Sequence, residues 1–448
     1  MNPVIRISTL VAVLLLSVLP LRAEKEKEPE QQRDRVVAVP VKKEIAKSGW
    51  NVGLMPAFNY STDLGFSFGA LAQVFHYGDG SDYPNYRHKF MVNAMLYTKG
   101  AKQVSMNYDS KHLIPGYRVT ADISYMDNPL YGFYGFNGAV SPYYAGLDLH
   151  KGADKQDGIA FYANYQRQLR ASLDLQGRVA DHLTWIGGAA YSWQSYSPVS
   201  LPVYAASGSL YEQYLEEGLI PAEDTHGHRA ELKAGLLYDT RDFEPQPARG
   251  IYASVTAIAG SSFSDGGAKG SLVLQADFRH YISIFPDRLT FAYQLAYSGL
   301  VAGSLPFYAM PSFAMRGTYS SRIKGNGVAW ASADARLRLA SFQAFKQNFQ
   351  LGLVGFADAG AVVQTCRLAE QAALGRRTVE KTLDGEQMGP YASIYDPSIA
   401  TRERLHTSVG GGFWFSMNRN FITAVEFGHP LHAQDGSFGL YINLGFSF

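Results

Sequence analysis

The sequence predicts an all-β protein, a transmembrane antiparallel β-barrel of about sixteen strands. Three observations predict it. From residue 50 to the end, segments long enough to cross a bilayer when tilted alternate apolar and polar side chains. Aromatics make up 13% of the chain and glycine 44 of its 448 residues, whereas beyond Ala23 no apolar run approaches the ~20 residues of a membrane helix. The connections alternate between short and long, as in barrels with tight turns on one side of the membrane and loops on the other. Lys+Arg 40 against Asp+Glu 39 leaves no basic footprint for nucleic acid. Cys366 is the only cysteine, so no intrachain disulfide exists.

Residues 1–23 read as a secretory signal peptide: Arg6 precedes the apolar run Leu10–Leu19, and Ala23 ends the segment. Leu21 is larger than is usual two places before a cleavage site, so an uncleaved anchor is the alternative to cleavage after Ala23. Residues 24–49 read as a short disordered periplasmic tail: Glu24–Arg35 has no apolar residue except Pro29, and Val36–Val41 has the composition of a short strand. This stretch is shorter than the ~50 residues of an independent domain.

Residues 50–448 carry the barrel. Strands are expected at about 50–60, 65–77, 87–98, 102–112, 117–125, 159–176, 183–196 and 229–240. They continue at 251–260, 270–281, 288–298, 327–339, 348–362, 405–417, 421–428 and 436–448. An even number returns both ends of the barrel to one side. With the short turns 113–116, 180–182, 285–287 and 418–420 in the periplasm, the long connections 126–158, 197–228, 299–326 and 364–404 all fall outside. Tyr191, Trp193, Tyr196, Trp414, Phe415 and Tyr441 are expected in interfacial girdles.

In the last strand, Phe438, Leu440, Ile442, Leu444, Phe446 and Phe448 share one face, which reads as a lipid-facing stripe. The seam between first and last strands is expected to be weak. Pro56 lacks the amide hydrogen of a ladder bond, and Gly445 gives up side-chain packing.

Between Met315 and Asp358 the pattern concentrates charge. Met315-Arg316-Gly317-Thr318-Tyr319 is a glycine-hinged tip carrying a cation. In the strand that follows, Trp330, Asp334 and Arg336 share one face and small apolar residues the other. The next strand carries Phe356-x-Asp358-x-Gly360, with Asp358 opposite the Leu351 and Leu353 face. Asp239-x-Arg241-Asp242, followed by Pro245, Pro247, Arg249 and Gly250, reads as a charged periplasmic turn.

These motifs, in this order and sidedness, resemble the BamA/TamA/FhaC-type barrels of the bacterial surface antigen family. The resemblance implies that an Arg-Gly tip on an outer loop folds into the lumen and meets the strand Asp. Arg316, Gly317, Phe356, Asp358 and Gly360 match, Asp334 stands where a strand acid is frequent, and Thr318 departs from the usual aromatic. Asp239, Arg241, Asp242 and Gly250 match the family's charged hairpin, and Phe446 and Phe448 its terminal signal for the barrel-assembly machinery. It implies residence in the bacterial outer membrane among its lipids, and insertion, assembly or translocation of polypeptides. The family's POTRA domains have no counterpart in the tail, so a separate periplasmic subunit is expected to receive clients. A transport or passive-pore barrel is the alternative reading. An outer-membrane lipase is a remoter one, with only His406 and Ser408 sharing a face and no Gly-x-Ser-x-Gly elbow. No cofactor is expected. The close histidine pairs His226/His228 and His429/His432 lack neighbouring ligands at metal spacing, so no metal is expected either.

Overall fold

The computed structural model describes residues 46–448 apart from 62–63, 82, 142–159, 202–208, 287, 320, 346, 372, 374–402, 437 and 447. Residues 1–23, expected as a signal peptide, and all but the last residues of the expected tail lie outside the described residues. The first half contributes β1 (Trp50–Ser61), β2 (Gly65–His76), β3 (His88–Tyr97), β4 (Lys102–Ile114), β5 (Tyr117–Gly132), β6 (Ala163–Ala180), β7 (Leu183–Ser197) and β8 (His226–Asp239). The second half adds β9 (Gly250–Ser264), β10 (Gly267–Phe285), β11 (Leu289–Gly303), β14 (Gly327–Ala344), β15 (Gln347–Gln364), β16 (His406–Met417), β17 (Phe421–Pro430) and β18 (Gly439–Leu444). Those sixteen close into an antiparallel barrel, while β12 (Ser312–Phe313) and β13 (Ile323–Lys324) pair apart from it within the β11–β14 loop.

Alternation sorts the side chains. Val52, Leu54, Phe66, Phe68, Phe90, Val104 and Met106 are exposed on the outer face. The inner face carries ion pairs such as Lys233–Asp174 at 2.6 Å, Arg170–Glu231 at 3.0 Å and Arg279–Asp277 at 2.5 Å. No helix among the described residues is long and apolar enough to cross a membrane. Several strands overrun their expected ends, most clearly β5, which reaches Gly132. Its polar Asp127 and Asn128 stay in the ladder opposite Arg167 and Gln166 of β6.

Both ends of the barrel chain lie on the side of the tight turns, the periplasmic side of an outer-membrane barrel. At the other mouth the long loops build an aromatic cap. Phe133, Phe161, Tyr211, Tyr214, Phe307 and Tyr319 are buried in one cluster, with the short helix α1 (Leu210–Glu216) held by a capping box at Ser209 and Glu212.

Two expectations are corrected. The last strand stops at Leu444, because Gly445 adopts φ 96, a left-handed conformation that ends the extended run. Phe446 and Phe448 therefore leave the lipid-facing stripe and turn into the lumen. There Phe446 packs on Trp414, and Phe448 on Tyr281 and Ala292. Tyr196, Trp414 and Tyr441 are likewise not girdle residues: Tyr196 enters the cap, Trp414 is buried on the inner face, and Tyr441 bonds to the β11–β14 loop. Aromatic identity alone does not fix the face; position in the alternation does.

Candidate functional site: an internal lock and a weak seam

The β11–β14 loop (residues 304–326) descends into the barrel and presents Arg316. Its Nε donates to Asp358 Oδ2 at 2.9 Å and its Nη2 to Asp358 Oδ1 at 2.6 Å, a two-pronged pairing. Nη2 also reaches Asp334 Oδ1 at 2.9 Å, and Nη1 reaches Glu426 Oε1 at 2.9 Å. The Phe356 ring lies 3.6 Å below the guanidinium. Arg316 and all three carboxylates are buried. Desolvation would lower the Arg316 pKa, but the carboxylates outweigh it and raise it, so the cation is held charged.

Glycines let the loop tip seat. Gly317, at φ 96, lies against Gly428 of β17 so closely that a Cβ on either would strike the other's backbone within 2.8 Å. Its N–H donates to the Tyr441 hydroxyl at 3.1 Å, which donates in turn to the Thr318 carbonyl at 3.1 Å. Gly360 leaves room for Phe313, which stacks on Trp330 at 5.7 Å. Thus Phe356, Asp358 and Gly360 successively support the cation, pair with it and receive the loop's ring. Thr318 turns its hydroxyl to the Met315 carbonyl, and Tyr319 stacks on Tyr134 of the cap at 5.6 Å.

Asp334 also accepts from Arg336 at 2.9 and 3.1 Å. Arg336 in turn holds the end of the chain: it donates to the Phe448 backbone oxygen at 3.0 Å and lies 4.1 Å over the Phe446 ring. One chain of contacts therefore runs from the loop tip to the segment after β18.

In the β8–β9 turn, Arg241 pairs with Asp239 at 2.8 and 2.9 Å. Asp242 Oδ1 accepts the backbone N–H groups of Phe243, Ala248 and Arg249 at 2.9–3.2 Å, organising the turn from inside. Gly250 has φ 106, and a Cβ there would meet the Thr240 carbonyl.

At the seam, β1 pairs with β2 along its full length, Pro56 standing opposite Ala70. Toward β18 its one pair among the described residues is Ser61↔Tyr441. By contrast, β17 and β18 share a ladder from Thr423↔Leu444 to Gly428↔Gly439. Below that single pair a gap of about 180 Å³ opens, lined by Asn51, Gly53, Leu71, Gln73, Asn418 and Phe421. Its periplasmic rim is clasped by Asn420, whose Nδ2 donates to the Pro84 carbonyl at 2.8 Å and the Tyr77 hydroxyl at 3.3 Å.

At the outer rim, His406 Nδ1 lies 2.8 Å from Asp435 and Nε2 lies 2.7 Å from Glu403. A neutral ring has one N–H, so only the imidazolium donates to both carboxylates. Neither nitrogen is left to activate Ser408. Asp435 would be pushed up by burial, but its bond to His406 and the nearby Arg322 and Arg404 hold it below the usual carboxylate range.

Residues 96–448 match the Omp85 superfamily domain. The chain belongs to the Omp85 superfamily. Among solved structures it is similar to BamA from Haemophilus ducreyi lacking POTRA domains 1-3, with 15% identity, a TM-score of 0.48, and coverage of 89% of this chain and 70% of that one. It is also similar to CdiB from Escherichia coli, with 10% identity, a TM-score of 0.48, and coverage of 88% of this chain and 63% of that one. No curated protein sequence matches. The chain is thus an outer-membrane β-barrel of the Omp85 superfamily.

Sequence reasoning brought Arg316, Asp334 and Asp358 together but missed Glu426, Arg336 and Tyr441 around them. Glu426 left a signal: it is the one charged residue in the strand Phe421–Pro430 apart from His429, and its alternation faces inward with Ala424 and Gly428. Tyr441 left none, because an aromatic at a strand end reads equally well as girdle.

Proposed function

We propose that this Omp85 barrel inserts or passes polypeptides at the outer membrane through its β1–β18 seam, with no bond chemistry. The observation that carries the reading is that, among the described residues, β1 meets β18 in the single pair Ser61↔Tyr441, whereas every other neighbouring pair of barrel strands shares a ladder of many pairs. Unpaired backbone facing lipid is costly, so the edge of β1 from Trp50 to Tyr60 favours a partner strand. An incoming extended chain supplies one by β-augmentation. The loop lock at Arg316 would hold the wall beside the seam, on the β18 side of it. Clients, a periplasmic receiving subunit and the assembly machinery are the expected partners, and deletion of Phe448 should lower the amount of folded barrel in the outer membrane.

The test begins from Cys366→Ser. Cysteine pairs are scanned between residues 57–61 and 441–445; disulfides form where Cα atoms lie within ~7 Å. A disulfide-locked seam should fail to rescue a deletion strain until reductant is added. Rescue by locked barrels would shift the reading to the passive-pore alternative, for which steady single-channel conductance is the signature.

A further inference from the structure

The β8–β9 turn does more than join two strands. Its residues 240–249 bond to opposite walls of the barrel. On one side, Glu244 accepts from Arg118 of β5 at 2.7 Å and lies 3.6 Å from Lys111 of β4. Arg118 is itself fixed by a two-pronged bond to Asp109 at 2.7 and 3.0 Å, and Tyr86 adds a bond to that carboxylate at 2.9 Å. On the other side, Gln246 donates to Gln350 of β15 at 3.0 Å and accepts from Ser416 of β16 at 3.3 Å. Beyond them the Arg419 guanidinium covers the buried Phe243 ring at 4.6 Å.

Ring order turns these contacts into a position. β5 and β15 are eight strands apart through β6–β11 and β14, and eight apart through β4–β1 and β18–β16. They are diametrically opposed, so a segment bonded to both lies across the periplasmic mouth. Pro245 and Pro247 flank Gln246 and fix φ on both sides of it, which suits a stiff span rather than a floppy loop. The Asp242 carboxylate anchors the base of the span through its three backbone bonds.

We infer that residues 240–249 form a strap that gates the lumen from the periplasm, latched by Glu244 on Arg118 and by Gln246 on Gln350 and Ser416. This goes beyond the seam reading and holds whether or not the seam opens. With the strap seated and the aromatic cap in place, the lumen is covered at both mouths. Releasing the strap admits periplasmic solutes to the Ser254 level of β9.

The test uses full-length protein in nanodiscs, carrying Cys366→Ser and the reporter Ser254→Cys on the inner face of β9. The reaction rate with a membrane-impermeant maleimide is measured with the strap intact, in Glu244→Ala/Gln246→Ala, and in the milder Glu244→Gln. Heat-modifiable migration verifies folding of each protein. The double variant should label at least about tenfold faster, and Glu244→Gln by an intermediate factor. Equal rates in folded double variant and parent overturn the inference. Should the double variant not fold, Glu244→Gln decides: acceleration supports the strap, and a parental rate overturns it.

Discussion

The lock and the seam lie side by side and are built in opposite ways. Arg316 reaches Asp358, Asp334 and Glu426 on three different strands and rests on Phe356. The seam, one strand beyond β17, rests on one backbone pair above and the Asn420 clasp below. Under the proposed seam reading, fixing one wall with buried charge would confine movement to the edge where the ladder is short. The chain after β18 belongs to both regions, since Arg336 ties Phe446 and Phe448 to the carboxylate that Arg316 also uses.

The largest effect is expected at the lock. Arg316→Ala or Asp358→Ala strands a buried charge, which costs about 3–5 kcal/mol. Both should raise protease cleavage of the 304–326 loop in intact cells, with Arg316→Lys restoring only part of the resistance because it loses the fork. Unchanged resistance in both alanine variants would remove the distinction between a rigid wall and a mobile edge.

Next comes Gly445→Val. A branched side chain at φ 96 is strained by about 1–2 kcal/mol or more. The end of β18 should straighten, withdraw Phe446 and Phe448 from Arg336 and lengthen the seam. Phe58 and Leu444 follow Ser61 and Tyr441 in antiparallel register, so a cysteine pair there should crosslink faster in the Val background. Equal crosslinking rates would show that Gly445 does not set the length of the pairing.

Acid should act on the strap. Burial alone would push the Glu244 carboxyl up, but Arg118, then Lys111 and Arg241, outweigh it and hold it below the usual range. The depressed value favours the folded, charged form. That stabilisation is fully present above the unfolded pKa of about 4.3 and drains away as pH falls through the folded value. Expressed relative to Glu244→Ala/Gln246→Ala at the same pH, which cancels the loss of thiolate, labelling at Ser254→Cys should stay slow from neutral pH down to about 4.3 and climb toward the double variant below it; a flat ratio in folded protein would detach Glu244 from the latch.

The smallest effect is expected from Pro56→Ala, which restores one amide donor to β1, a change of about 1 kcal/mol. It should raise the temperature of heat modification slightly. A drop would indicate that the proline's stiffness matters more than its missing bond.

The sixteen strands were legible because period-two alternation is local and each lies between turn residues. The lock was legible in part because Arg316 is a cation on a glycine-hinged tip and Asp358 is the one charge in its strand. The inward turn of the C-terminal segment was not: the alternation of Leu440, Ile442, Leu444, Phe446 and Phe448 runs unbroken across Gly445, and only the φ of that glycine changes the face. The strap's motif could be read as a turn, but Gln246 reaching Gln350 joins residues 104 apart through side chains that leave no pattern.

The seating of Gly317 against β17 also bears on the order of biogenesis. Arg316 finds Glu426 110 residues further along the chain, and Gly317 finds Tyr441 124 residues further along. A growing or half-inserted barrel therefore has no pocket for the loop tip until β17 and β18 are in place. Such long-range closure is slow and comes late. The expected consequence is that the loop gains protease protection only in molecules whose final hairpin has joined the wall, so that resistance of that loop would count finished barrels.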